Sequence, residues 1–89
     1  FSDEETEKVF QRERSKKLPV DIQHRAYRKL VMLHAAISIQ DLRSPTGNHL
    51  EKLTGKREGE YSIRVSDQWR ICFIWRSGFA CEVGIEDYH

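Results

Sequence analysis

No apolar run in the 89 residues approaches the roughly 18 that a membrane span requires, and no basic segment leads into an apolar one as in a secretory leader. The expected location is therefore the cytoplasm, with no membrane partner. Cysteine is scarce: Cys72 and Cys81 are too few for a disulfide framework and form no Cys-x-x-Cys pair. The four histidines, His24, His34, His49 and His89, are scattered rather than gathered with cysteines, so no zinc-type ligand set exists in the sequence. Neither a metal nor another cofactor is expected. An excess of one charge is also lacking, with 15 Lys and Arg against 14 Asp and Glu. What remains is 38% hydrophobic and 33% charged, the balance of a globular chain, and long enough for a single domain over residues 1–89.

The charges are unevenly spread. Acids gather at Asp3, Glu4, Glu5 and Glu7 and again at Glu82, Glu86 and Asp87. Between Lys52 and Arg76 six basic residues (Lys52, Lys56, Arg57, Arg64, Arg70, Arg76) face three acids, a local surface suited to an anionic ligand. On composition alone a solvated mixed-charge face is the commoner reading of such a stretch.

Ser2-Asp3-Glu4-Glu5 has the Ser-x-x-Glu spacing of a capping box, and a short helix is expected from Asp3 to Arg12, followed by a basic linker to Lys17. Pro19 suits a first helical position, and Asp21 suits the positive end of the helix dipole. Ile22, Ala26, Leu30, Leu33 and Ile37 recur at three- and four-residue steps, so the main helix is expected over Pro19 to Ala36. Arg25, Arg28 and Lys29 fall on its polar side as a solvated face or a partner surface. Asp41, Ser44, Pro45, Gly47 and Asn48 interrupt periodicity and predict a loop over Gln40 to Asn48. Three strands follow, Tyr61 to Val65, Trp69 to Arg76 and Phe79 to Ile85, with connections short enough for an antiparallel meander.

Alternation along a strand lets the register be derived. Ile63 and Val65 share one face, as do Trp69, Ile71, Phe73 and Trp75, and an odd connection such as Ser66 to Gln68 puts both sets on one side. Arg64 then lies beside Arg70 on the other. The same requirement in the last hairpin puts Cys81, Val83 and Ile85 with the core, leaving Glu82, Gly84, Glu86 and Tyr88 on the arginine side. Cys72 and Cys81 would then occupy opposite faces. A two-residue turn at Ser77-Gly78 is the alternative, and it reverses the parity of the last strand.

Two neighbouring arginines repel unless an acid or an anion sits between them. Glu86 is one internal candidate and an RNA phosphate is the other, because a guanidinium binds two phosphate oxygens at once. RNA carries its own nucleophile. Its cleavage needs a base for the 2′-hydroxyl proton, cations for the developing phosphoryl charge and an acid for the departing 5′-oxygen. Asp87-Tyr88-His89 supplies three proton-handling groups in a row, although short polar tails are common.

The blocks Asn48-His49-Leu50-Glu51-Lys52-Leu53, Gly55-Lys56-Arg57-Glu58-Gly59, Tyr61-Ser62-Ile63-Arg64-Val65, Asp67-Gln68-Trp69-Arg70-Ile71-Cys72-Phe73 and Glu86-Asp87-Tyr88-His89 resemble the HigB toxins of the RelE superfamily. The resemblance extends more loosely through the main helix. It implies an α+β fold of RelE type, with two N-terminal helices on one face of a curved antiparallel sheet. It also implies a metal-independent, ribosome-dependent endoribonuclease that cleaves messenger RNA in the A site and inhibits translation as the toxin of a type II toxin-antitoxin system. The implied partner is a HigA-type helix-turn-helix antitoxin, through which alone operator DNA would be bound. By motif position Arg70, Asp87, Tyr88 and His89 resemble the catalytic group, and Lys56, Arg57 and Arg64 are the expected phosphate-binding residues. In some relatives a histidine lies four residues before the position of Gly55 and a lysine immediately before it; here Glu51 and Thr54 stand there. His49 and Lys52 are the nearby accessory candidates. That departure leaves an alternative of another class, a RelE-like module with weak or lost catalysis that acts through antitoxin binding and transcriptional co-regulation.

Overall fold

The computed structural model describes residues 18–43, 48–54 and 59–87. Helix α1 spans Val20–Ala35, a 3-10 turn spans Ile39–Arg43, and four strands follow: β1 (Glu51–Lys52), β2 (Glu60–Arg64), β3 (Trp69–Arg76) and β4 (Phe79–Asp87). The strands form one antiparallel sheet in the order β1-β2-β3-β4. Among the described residues the fold is thus α+β with an open four-stranded sheet. The expected first helix over Asp3 to Arg12, with its capping box and linker, lies outside the described residues.

Helix α1 starts one residue later than expected. Pro19 is the N-cap rather than the first helical residue, with an extended ψ of 145°, and its carbonyl accepts the first helical bond from the Gln23 N–H at 3.0 Å. The Gln23 side chain donates to the Leu18 carbonyl at 2.6 Å, which ties the entering chain to the first turn. At the other end Ala36 is extended, so Ile37 leaves the helical face it was expected to extend and is 84% exposed. Ile22, Ala26, Leu30 and Leu33 keep their places and are buried.

These four pack with Leu18 and Leu42 against Ile63, Val65, Ile71, Phe73 and Val83 on one face of the sheet. Phe73 lies directly opposite Tyr61 in the register, and their rings stack with centroids 6.0 Å apart. Leu42 is delivered by the 3-10 turn, within the segment expected to be wholly loop. Truncating Phe73 or Leu30, each almost fully buried, would cost about 3 to 5 kcal/mol by the usual cavity effect.

The β2–β3 register is the one that parity requires: Ile63 faces Ile71 and Arg64 faces Arg70, with Ser66, Asp67 and Gln68 as the connection. The last hairpin combines the two registers weighed above. Arg76 pairs with Phe79, so the turn has two residues, Ser77 and Gly78, with φ of 54° and 81°. Cys81 accordingly pairs with Ile74, on the same face as Cys72, which corrects the expectation of opposite faces. One extra residue in β4 between the Ile74–Cys81 and Cys72–Gly84 pairs then restores parity, with Glu82 at φ 49°. Val83 is buried in the core, Ile85 faces Ile71, and Gly84 and Glu86 fall on the arginine side as expected. Both cysteines are free thiols.

Candidate functional site

The sheet face turned away from α1 carries Arg64 on β2, Arg70 on β3 and Glu86 on β4 in one row, since Arg64 pairs with Arg70 and Arg70 with Glu86. The acids divide between the two arginines. Asp67, 94% exposed in the β2–β3 turn, forms an ion pair with the Arg64 guanidinium, while Glu86 is the residue directly opposite Arg70. Like charge on adjacent strands is thereby offset within the fold.

Arg70 is only 5% exposed. Its Nε donates to the Ser62 hydroxyl at 2.8 Å, and one terminal nitrogen donates to the carbonyls of His49 at 2.5 Å and Ser62 at 3.3 Å. Ser62 is itself fully buried on the same face. A guanidinium held this way is a fixed positive charge, already oriented before any ligand arrives.

The His49 carbonyl that receives Arg70 is positioned by its neighbour. Asn48 is fully buried, its Oδ1 accepting from the Lys29 ammonium and its Nδ2 donating to the Leu42 carbonyl and to the Met32 sulfur, each at 3.1 Å. His49 follows in the left-handed region, φ 44°, with its side chain exposed. Burial holds the Lys29 amine below its ordinary value of 10.5, and the neighbouring Arg25 charge adds to that. Sequence reasoning placed Asn48 in a loop and read Lys29 as a surface residue. A Ser-Pro-Thr-Gly-Asn stretch carries no signal for a buried amide.

Strand β1 separates the remaining candidates. Glu51 pairs with Ser62 and shares the arginine face, while Lys52 pairs with Tyr61 and falls on the other. Lys52 instead lines an open cavity of about 600 Å³ with Arg43, His49, Leu50 and Tyr61. His49 also lines a second cavity, of about 560 Å³, with Arg25, Arg28, Lys29 and Arg64. Asp87 ends β4 opposite Trp69, one position from the Arg70–Glu86 pair, and its carboxylate accepts from the Gln68 amide at 3.3 Å. Lys56, Arg57, Tyr88 and His89 lie outside the described residues. Among the described residues the structure thus brings Arg64, Arg70 and the His49 carbonyl together, and by register it puts Asp87, opposite Trp69 at the neighbouring strand end, and Lys52, opposite Tyr61, on the other face.

Such a row sets a fixed positive charge at Arg70 beside the partly exposed Arg64, an arrangement suited to an anionic ligand. The model of a family described as the RelE-like toxin of type II toxin-antitoxin system HigB matches residues 1–89. The chain is 36% identical to Toxin HigB-1 of Vibrio cholerae over 89 residues, covering 99% of this chain and 94% of that protein. It is 48% identical over 40 residues to Endoribonuclease HigB of Proteus vulgaris, covering 45% of this chain and 44% of that protein. An uncharacterized Haemophilus influenzae protein is 43% identical over 61 residues, or 68% of this chain and 60% of its own length.

Proposed function

The chain belongs to the HigB-like family of RelE-like toxins of type II toxin-antitoxin systems, and from that premise we propose that it is an endoribonuclease that cleaves messenger RNA on the ribosome. Family membership implies an antitoxin partner. The HigA type of that partner, with operator DNA reached only through the complex, belongs to the proposal, as do the RelE-like two-helix fold and a cytoplasmic site of action.

The observation that carries the reading is the fixation of Arg70 in the row Arg64–Arg70–Glu86 by Ser62 and the His49 carbonyl. In the reaction, the RNA 2′-oxygen loses its proton and bonds to phosphorus, and the bond to the 5′-oxygen breaks as that oxygen gains a proton. The nucleophile is the substrate's own. The protein has to align the strand, stabilise the charge that builds on the phosphoryl oxygens and move two protons. Arg70 supplies the fixed cation, and Arg64, Lys56 and Arg57 hold neighbouring phosphates. Asp87, Tyr88 and His89 orient the RNA and handle the protons. The ribosome contributes alignment, since a strand already ordered has less entropy to lose on reaching the reactive geometry.

The second reading, a binding module with little catalysis, is favoured by Glu51, a carboxylate on the arginine face where some relatives carry histidine. Induced expression separates the two. Wild type should arrest growth, and Arg70→Ala and the Asp87→Asn/His89→Gln double variant should each relieve the arrest while retaining antitoxin binding. Arrest undiminished in both variants would exclude the proposed site.

A further inference from the structure

Arg25, Arg28 and Lys29 stand at three- and four-residue spacing on α1, so their side chains share one helical face. They line the 560 Å³ cavity together with His49 and Arg64, and no carboxylate is among the described residues that line it. The only acid on α1 is Asp21, one turn before Arg25; neither Arg28 nor Lys29 has an acid three or four residues away on the helix. Asp67 engages Arg64 from the exposed turn. The arginine row on the sheet carries its own counter-charges, whereas among the described residues this cluster has an excess of positive charge.

Two further observations make the cavity more than a basic surface. One wall is rigid: the Lys29 ammonium is tied to Asn48, which is wholly buried and held in turn by Leu42 and Met32. The cavity also adjoins the Arg70 site, because His49 lines the cavity while its carbonyl accepts from Arg70, and Arg64, which lines it too, faces Arg70 in the register. It opens where β1 has ended. β1 pairs only with Tyr61 and Ser62, so among the described residues no strand covers the outer side of β2 at Arg64.

We propose that this cavity is a second phosphodiester subsite, in which Arg25, Arg28, Lys29 and His49 hold a backbone phosphate of single-stranded RNA one or more nucleotides from the reacting one. The inference rests on the reading of RNA as the substrate. Arg25 and Arg28, both exposed, present planar forks to two oxygens each, and Lys29 adds a point charge from the wall. The anion relieves repulsion among cations for which the described residues lining the cavity offer no carboxylate.

The test uses the full chain and a short labelled RNA whose 2′-oxygens are methylated, so that it binds without being cut. Its affinity is followed by fluorescence anisotropy between roughly 50 and 200 mM salt, the range over which phosphate contacts show most clearly. Arg25→Gln/Arg28→Gln should weaken binding about tenfold at low salt and flatten the log–log salt slope by about 1.4, twice the roughly 0.7 per contact of a single strand. Arg25→Lys/Arg28→Lys should restore the slope, a rescue that a structural role would not give. On messenger RNA held by translating ribosomes the glutamine variant should raise KM with kcat retained. Binding and slope equal to wild type in the glutamine variant would overturn the subsite, and wild-type cleavage would then still uphold the nuclease reading. Binding that weakens and flattens in the glutamine variant as expected, with a wild type that never cleaves messenger RNA on translating ribosomes, upholds the subsite and overturns the nuclease. A wild type that neither binds the methylated RNA nor cleaves messenger RNA on translating ribosomes overturns both.

Discussion

Arg70 combines two demands that seldom meet in one side chain: it carries full charge and it is almost entirely buried. Its bonds to Ser62 and His49 are what reconcile them, so Ser62→Ala should destabilise the chain by about 1 to 3 kcal/mol, the usual cost of stranding a buried polar group. Urea denaturation of that variant checks it. Lysine at position 70 should not substitute, because an ammonium cannot span the same three acceptors with a planar fork. Lys29 gives a prediction in pH. Its amine is held below 10.5 by burial, with Arg25 contributing, so between the lowered value and 10.5 the unfolded chain binds more protons than the folded one. Stability from this group therefore rises as pH rises through that window, and is lowest below it. Lys29→Met should remove that rise in denaturation curves taken toward pH 10.5. Of these residues Arg64 and Arg70 were legible as neighbours because strand alternation leaves them no other arrangement. Asn48 was not, since a buried amide in a turn-rich segment is decided by Lys29, Leu42 and Met32, all distant in the chain.

At the scale of elements the β3–β4 hairpin shows where pattern reasoning reaches its limit. Apolar alternation places Val83 and Ile85 on the core side, and that holds. It does not reveal that a two-residue turn and a bulge cancel, because Ala80-Cys81-Glu82-Val83 contains no glycine to mark the extra residue, and Glu82 takes the left-handed conformation instead. β1 is invisible for a different reason. Its two residues, Glu51 and Lys52, are both exposed, so only pairing with Ser62 and Tyr61 defines them. The turn itself is testable: Ser77 and Gly78 both have positive φ, as a type I′ turn requires, and asparagine tolerates that region better than serine. Ser77→Asn should stabilise the chain by about 0.5 kcal/mol, the lower end of what such compatible turn changes give, and raise its melting temperature. A lower melting temperature would contradict the turn geometry.

For the molecule as a whole, the open sheet separates two tasks by face. One side buries Phe73, Ile71, Ile63 and Val83 against α1, and the other carries the arginine row, so the cations sit on a surface whose reverse is the core. The near-neutral total charge conceals this. The distribution along the chain, six bases against three acids between Lys52 and Arg76, and the strand alternation that sets Arg64 beside Arg70 pointed to it. Family membership was legible in the Gly55 to Gly59 and Asp87 to His89 segments, whereas the helix-borne cluster of Arg25, Arg28 and Lys29 becomes a site only when folding sets it beside His49 and Arg64. The central claim is that this chain cuts messenger RNA as it is translated, with Arg70 as the fixed cation. Mapping RNA 5′ ends in cells after induction tests it most directly. The account predicts new ends inside translated reading frames that vanish when translation is blocked and fall sharply with Arg70→Ala. Growth arrest without new ends, or ends unchanged by Arg70→Ala, would contradict it.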